Sequence, residues 1–120
     1  LYSLETMDSE RMNLVFAALA DPTRRAILQR LATGEATVAE LAEPFDVAQP
    51  TISRHLRVLE EAGLIRAGQD AQRRPRTLVV GGPLEAVDDW LAPFRAQWER
   101  RFDRLEHFLA GKKQKKGKSP

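Results

Sequence analysis

The segment QPTISRHLRVLEEAG at residues 49–63 limits the fold more than any other stretch of this chain. Ile52, Leu56 and Leu59 recur at i, i+4 and i+7, so at about 100° per residue they share one narrow stripe of a helix. Pro50, Thr51, Arg54, Arg57 and Val58 point away from that stripe. Gly63 directly follows the periodic run and supplies the left-handed conformation that ends helices. One face therefore packs, and the other presents Arg and Thr. A major-groove reader needs such groups, because a guanidinium forks onto guanine, Thr touches a thymine methyl or a phosphate, and Val58 offers a methyl contact. A solvated surface helix has the same pattern in isolation, so the flanking segments decide between the two.

Upstream, Asp8 is placed to cap a first helix in which Met12, Val15, Phe16 and Leu19 hold helical spacing up to Ala20. Residues 1–6 lack a clear pattern and, with Met7 a candidate native start, residues 1–7 read as an N-terminal extension. Asp21-Pro22 starts a second helix, since the Asp side chain accepts orphan N–H groups and Pro has none to leave unpaired in the first turn. Ala26, Ile27, Leu28 and Leu31 line it, and Gly34 ends it. Thr37 and Glu40 have the spacing of a capping box, with Val38, Leu41 and Ala42 facing inward. Pro44 lies near the end of this short third helix, and Asp46-Val47-Ala48 makes a tight turn into residue 49. A short capped helix, a tight turn and an Arg-bearing amphipathic helix make a helix-turn-helix.

Downstream, residues 64–67 (LIRA) and 77–80 (TLVV) are short β-type runs joined by the polar, Gly- and Pro-containing residues 68–76. A hairpin there is a wing, and Arg73, Arg74 and Arg76 at its tip repel one another unless a phosphate backbone meets them. Gly81-Gly82-Pro83 then breaks the chain before its longest helical stretch, residues 83–110. Leu84, Val87, Leu91, Phe94, Trp98, Leu105 and Phe108 follow alternating three- and four-residue steps, with Arg101 the one polar member, and Trp90, Phe102 and Leu109 widen the stripe. So many aromatics do not face water, and the period favours a helix-helix seam with a second copy of the chain. Pro93 predicts a kink or break near Ala92. The basic tail, residues 111–120, has no apolar anchor and is expected to be disordered.

Charge is distributed in a way that the net +2 conceals. Five of the 19 basic residues are tail lysines, which leaves 14 against 17 acids over residues 1–111, a net of −3. Within 49–76, six arginines face only Glu60, Glu61 and Asp70, so a locally positive segment sits in an acidic body and points to a polyanion partner. The absence of Cys removes disulfides, thiolate metal sites and a Cys nucleophile. No apolar run approaches the roughly 18 residues of a membrane span, and a cytoplasmic location without membrane association is expected. The two histidines, His55 and His107, lie far apart in sequence, and no glycine-rich phosphate loop or Ser-centred elbow occurs, so no enzyme and no catalytic residue is expected.

Together ALADPTRRAILQRL at 18–31, TVAELAEPFDVAQPTISRHLRVLEEAGLI at 37–65 and the Arg-rich hairpin resemble the ArsR/SmtB family of bacterial winged-helix transcriptional regulators. The remainder, PLEAVDDWLAPFRAQWERRFDRLEHFL, is similar to the C-terminal helix of a branch without evident metal ligands. The resemblance implies a mainly α fold with a small β-hairpin wing (α+β), one winged helix-turn-helix domain over residues 8–110. It implies a homodimer held by N- and C-terminal helices, here through Val15, Phe16, Leu91, Phe94, Trp98, Leu105 and Phe108. It also implies repression at an inverted-repeat, palindromic operator in double-stranded DNA. The family's DNA-reading positions fall on Gln49, Thr51, Ser53, Arg54, His55 and Arg57, with wing phosphate contacts from Arg73, Arg74 and Arg76. The helix geometry places Ser53 and His55 on the flanks, better suited to phosphate or structural bonding than to base edges. Ala48 departs from the family pattern, where a Ser often caps the reading helix.

The family's thiolate site has no Cys here. Asp103, Glu106 and His107 on the last helix read as solvated or salt-bridged, so neither a metal nor another cofactor is expected. The aromatic stripe of the last helix reads first as plain dimer core, and a pocket between subunits for an unidentified small-molecule effector is the open alternative. The competing reading is a winged-helix protein-interaction module without DNA binding.

Overall fold

The computed structural model describes residues 2–69 and 73–117, with side chains over 9–69 and 73–112. Seven elements follow in order: α1 (Tyr2–Leu19), α2 (Pro22–Leu31), α3 (Val38–Ala42), α4 (Gln49–Glu61), β1 (Ile65–Ala67), β2 (Arg76–Leu78) and α5 (Pro83–Gly117). The chain divides into two compact units between Val87 and Asp88. Among the described residues, no helix is long and apolar enough to cross a membrane.

The first unit is built on α4, which packs against α1, α2, α3 and β1. Its stripe Ile52, Leu56 and Leu59 is wholly buried, together with Val15 of α1, Ile27 of α2, Leu41 of α3 and Leu64. Each such aliphatic side chain contributes about 1.5–3 kcal/mol by leaving water. The helix ends are closed by local chemistry. Asp21 Oδ2 accepts the Arg24 N–H at 3.0 Å at the start of α2. At the start of α3 the Glu40 N–H donates to Thr37 Oγ1 and the Thr37 N–H donates to Glu40 Oε1, both at 3.2 Å, a complete capping box. Ala48 gives α4 no side-chain cap, as its methyl dictates. The far end of α4 closes in a Schellman motif: the Leu64 N–H donates to the Leu59 carbonyl and the Gly63 N–H to that of Glu60, with Gly63 at φ 77°.

The wing is an antiparallel pair in the register Ile65↔Leu78, Arg66↔Thr77 and Ala67↔Arg76. Ala36, between α2 and α3, adds a bridge on the other side of Arg76, exchanging both backbone bonds with it at 3.1 and 2.7 Å. The hairpin is thereby tied to the strand-like segment that precedes the helix-turn-helix. This is a winged helix-turn-helix, as the sequence predicts.

Four expectations need correction. The first helix begins at Tyr2, not Asp8, because residues 2–8 contain no Gly or Pro and an uninterrupted hydrogen-bond ladder prevails over an interior cap candidate. Val15, expected at the dimer surface, is fully buried within its own protomer, where α1 meets the core. The expected break near Ala92 is absent, and α5 is helical through Pro93. Nor does the helix end at Ala110. It continues to Gly117, consistent with the helix propensity of Lys and Gln and with the favourable placement of cations at a helix C-terminus. Within this stretch the Lys112 ammonium sits 5.4 Å from the centroid of the Phe108 ring one turn earlier. Residues 118–120 lie outside the described residues, as does Asp70 of the wing.

A Cβ at residue 63 would lie 3.1 Å from Pro83 Cγ and would have to accept a left-handed φ. Gly63→Ala is therefore expected to lower the unfolding free energy by about 1–2 kcal/mol, measured by urea denaturation, with α4 losing amide protection first at its C-terminal turn.

Candidate nucleic-acid interface

Burial of one stripe of α4 dictates what the opposite face offers. Gln49, Arg54, Arg57 and Val58 are exposed, while Thr51, Ser53 and His55 are half-buried at the borders. Exposed side chains at Arg54 and Arg57 are three residues apart, close to one helical turn, so both guanidiniums project from the same side.

His55 is held by Arg24, which the sequence reading did not single out. Arg24 Nη1 lies 3.3 Å from His55 Nδ1. A guanidinium only donates, so Nδ1 is the acceptor and the neutral ring carries its proton on Nε2. The rest of Arg24 closes the end of α1: Nε donates to the Ala18 carbonyl at 2.7 Å and Nη2 to that of Ala17 at 3.0 Å. Arg25 Nη1 donates to the Leu19 carbonyl at 2.8 Å. Two cations one turn into α2 thus satisfy orphan carbonyls of α1, the sequence signal being basic residues shortly after a predicted helix end. Asp21 Oδ2 lies 3.9 Å from His55 Nδ1. The Asp21 carboxyl is held below its ordinary range, first by the Arg24 N–H, with the Arg24 charge adding to it, against the opposing effect of desolvation. The stability it adds is complete above the ordinary carboxylate pKa and is lost as pH falls through the lowered value.

On the wing, Arg73 and Arg74 are exposed, but Arg76 is not. Arg76 is 9% exposed, its Nε donates to Glu60 Oε1 of α4 at 2.8 Å, and its Nη1 donates to the Arg74 carbonyl. The assignment of Arg76 to phosphate contact is corrected accordingly: β2 begins at Arg76 rather than Thr77, and pairing with Ala67 and Ala36 turns its side chain toward α4. Arg76 instead shapes the wing. It grips the carbonyl of Arg74, whose φ of 37° is a left-handed conformation rare for a residue with a side chain. Between the wing and the helix-turn-helix lies a concavity of about 600 Å³, bordered by Thr37, Gln49, Arg73 and Arg74. Glu40 at its edge is an acceptor already committed. The Thr37 N–H and hydroxyl, followed by the charges of Arg30 and Arg73, hold its carboxyl below the usual range.

Arg54, Arg57, Arg73 and Arg74 thus form an exposed cationic surface around the outward face of a helix-turn-helix. Among the described residues no group of three or more His, Cys, Asp or Glu is placed to hold a metal ion.

Comparison with known proteins agrees with this geometry. Residues 19–66 match the family model described as a helix-turn-helix domain. The chain is 48% identical over 61 residues to the transcriptional repressor SdpR of Bacillus subtilis, covering 48% of this chain and 68% of that protein. It is 37% identical over 91 residues to the arsenic resistance transcriptional regulator ArsR1 of Pseudomonas putida, covering 67% of this chain and 71% of that one. The chain belongs to the ArsR family of transcriptional regulators. The crystal structure of another ArsR family transcriptional regulator superposes with a TM-score of 0.67 at 46% identity, over 76% of this chain and 93% of that one. As an ArsR-family member this chain is a DNA-binding regulator, and the exposed arginines lie on its helix-turn-helix and wing.

The structural role of Arg76 separates it from its neighbours. Arg76→Met should leave Glu60 without its donor and cost about 1.5–3 kcal/mol of stability, whereas Arg74→Met should leave stability nearly unchanged. Thermal denaturation of the two variants side by side checks the difference.

Proposed function

We propose that this ArsR-family chain acts as a homodimeric repressor that places one α4 of each protomer into successive major grooves of an inverted-repeat operator. The observation that carries this reading is the division of α4 itself: Ile52, Leu56 and Leu59 are buried, and Arg54 and Arg57 are exposed opposite them, beside exposed Arg73 and Arg74. Arg54, Arg57, Thr51 and Gln49 read base edges, Arg54 by a fork onto guanine. Ser53 and His55 serve at the edge of the groove, and Arg73 and Arg74 hold phosphates and set the register of the duplex. Half-sites about 10 bp apart match a two-fold dimer. The location of such a regulator is the cytoplasm.

Dimerisation is supported by apolar surface that a lone protomer leaves in water. Trp98 is 50% exposed and Phe108 62% exposed, with Phe94 and Leu105 on the same helix and Phe16 on α1 also exposed. Leu91 is half-buried and completes the set. The chain has no Cys, so a thiolate site for arsenic cannot form, whatever the name of its Pseudomonas putida relative.

Arg54→Ala should lose about 1–3 kcal/mol on the cognate operator and little on unrelated duplex, while Arg74→Ala should weaken all duplexes alike and reduce the salt slope by about one. Mobility-shift titrations at several salt concentrations check both. Normal operator binding by Arg54→Ala would show that the reading face is misassigned. No duplex binding by the unaltered chain at low salt would leave a protein-interaction module.

A further inference from the structure

The α5 stripe contains one residue that a plain helix-helix seam does not explain. With Arg101 taken as the reference meridian and about 100° per residue, Trp90, Phe94, Trp98, Leu105 and Phe108 all fall within about 60° of it. Every acid of the helix, Glu85, Asp88, Asp89, Glu99, Asp103 and Glu106, falls about 120° or more away. Phe102 lies about 100° from Arg101, at the border of the stripe. Trp98, Arg101, Phe102, Arg104 and Leu105 line an open depression along this one helix. Among the described residues neither Arg101 nor Arg104 makes an ion pair, whereas Arg95, nearer the acidic side, pairs with Asp88.

This matters because two copies that pair through the same stripe bring Arg101 toward a face of the partner α5 that holds no carboxylate. A guanidinium enclosed among aromatic rings without a counter-charge is costly. The lining asks for a ligand with an anionic head for the two guanidiniums, one turn apart, and an apolar body for Trp98, Phe102 and Leu105.

We propose that this depression is a binding site for a small organic anion with an apolar body, a medium-chain or aromatic carboxylate, held by Arg101 and Arg104 at the seam between two α5 helices. The site rests on the reading that α5 stripes of two copies face each other. A free carboxylate fits because the lining of the depression itself, from Trp98 to Leu105, spans about two turns, roughly 10 Å of helix, and the vesicle arm of the test separates it from a membrane surface.

The test uses the full chain, with decanoate below its micellar concentration and decanol as the neutral control, followed by titration calorimetry and light scattering. Saturable decanoate binding at least about tenfold tighter than decanol supports the site, as does loss of that preference in Arg101→Leu with the dimer intact or tighter. Equal affinity for the two ligands, no binding of either, a preference that survives in Arg101→Leu, or binding only to anionic vesicles overturns it. Dissociation of the dimer by Arg101→Leu also overturns it, because Arg101 would then be answering an acid of the second copy. A dimer without decanoate preference sinks the anion site alone. A monomeric chain that still binds duplex sinks the pairing of α5 as well.

Discussion

The complete burial of Ile52, Leu56 and Leu59 is the constraint from which the rest of the first unit follows. Three aliphatic side chains on one stripe fix the rotation of α4 about its own axis. A rotation of one residue would bring a flanking polar residue into contact with Val15, Ile27 and Leu41. The opposite face has no such restriction and exposes Arg54 and Arg57. Because α4 packs on α1, α2, α3 and β1 alike, the orientation of its exposed face is a property of the whole core.

Two arginines extend that control to the polar rim. Arg24 connects the end of α1 to His55 on the flank of α4, and Arg76 connects Glu60 near the end of α4 to the wing turn at Arg74. Both are multidentate, using the rigid planar fork of a guanidinium. The cations that organise this surface therefore differ from those exposed on it. Arg24 and Arg76 spend their donors inside the protein, while Arg54, Arg57 and Arg74 face outward.

Much of this was legible before any coordinates. Asp21-Pro22, the Thr37–Glu40 pair and Gly63 are local signals whose chemistry operates within a few residues, and the structure uses each as read. Periodicity likewise identified the buried stripe of α4. The misread features depend on contacts distant in sequence or on competition between local signals. Arg76 looked like one of three equivalent wing cations, and a strand starting one residue earlier, bridged to Ala36, turned it inward. Arg24 bonds to a residue 31 positions away, which no local pattern encodes. Val15 and Phe16 are neighbours on one helix, yet the first is buried and the second exposed, a distinction set by where α1 meets the core. Pro93 and the lysine run suggested stops, but the surrounding residues favour helix strongly enough to carry α5 through both.

Dimethyl sulfate footprinting of the chain on DNA from its own promoter region is the most direct probe of α4 as the reading element, because the reagent reports guanine N7 in the major groove. The predicted result is protection of guanines in two major-groove segments on one face of the duplex, centred about 10 bp apart. Unprotected guanine N7 positions across a site that the chain demonstrably occupies would contradict a major-groove role for α4.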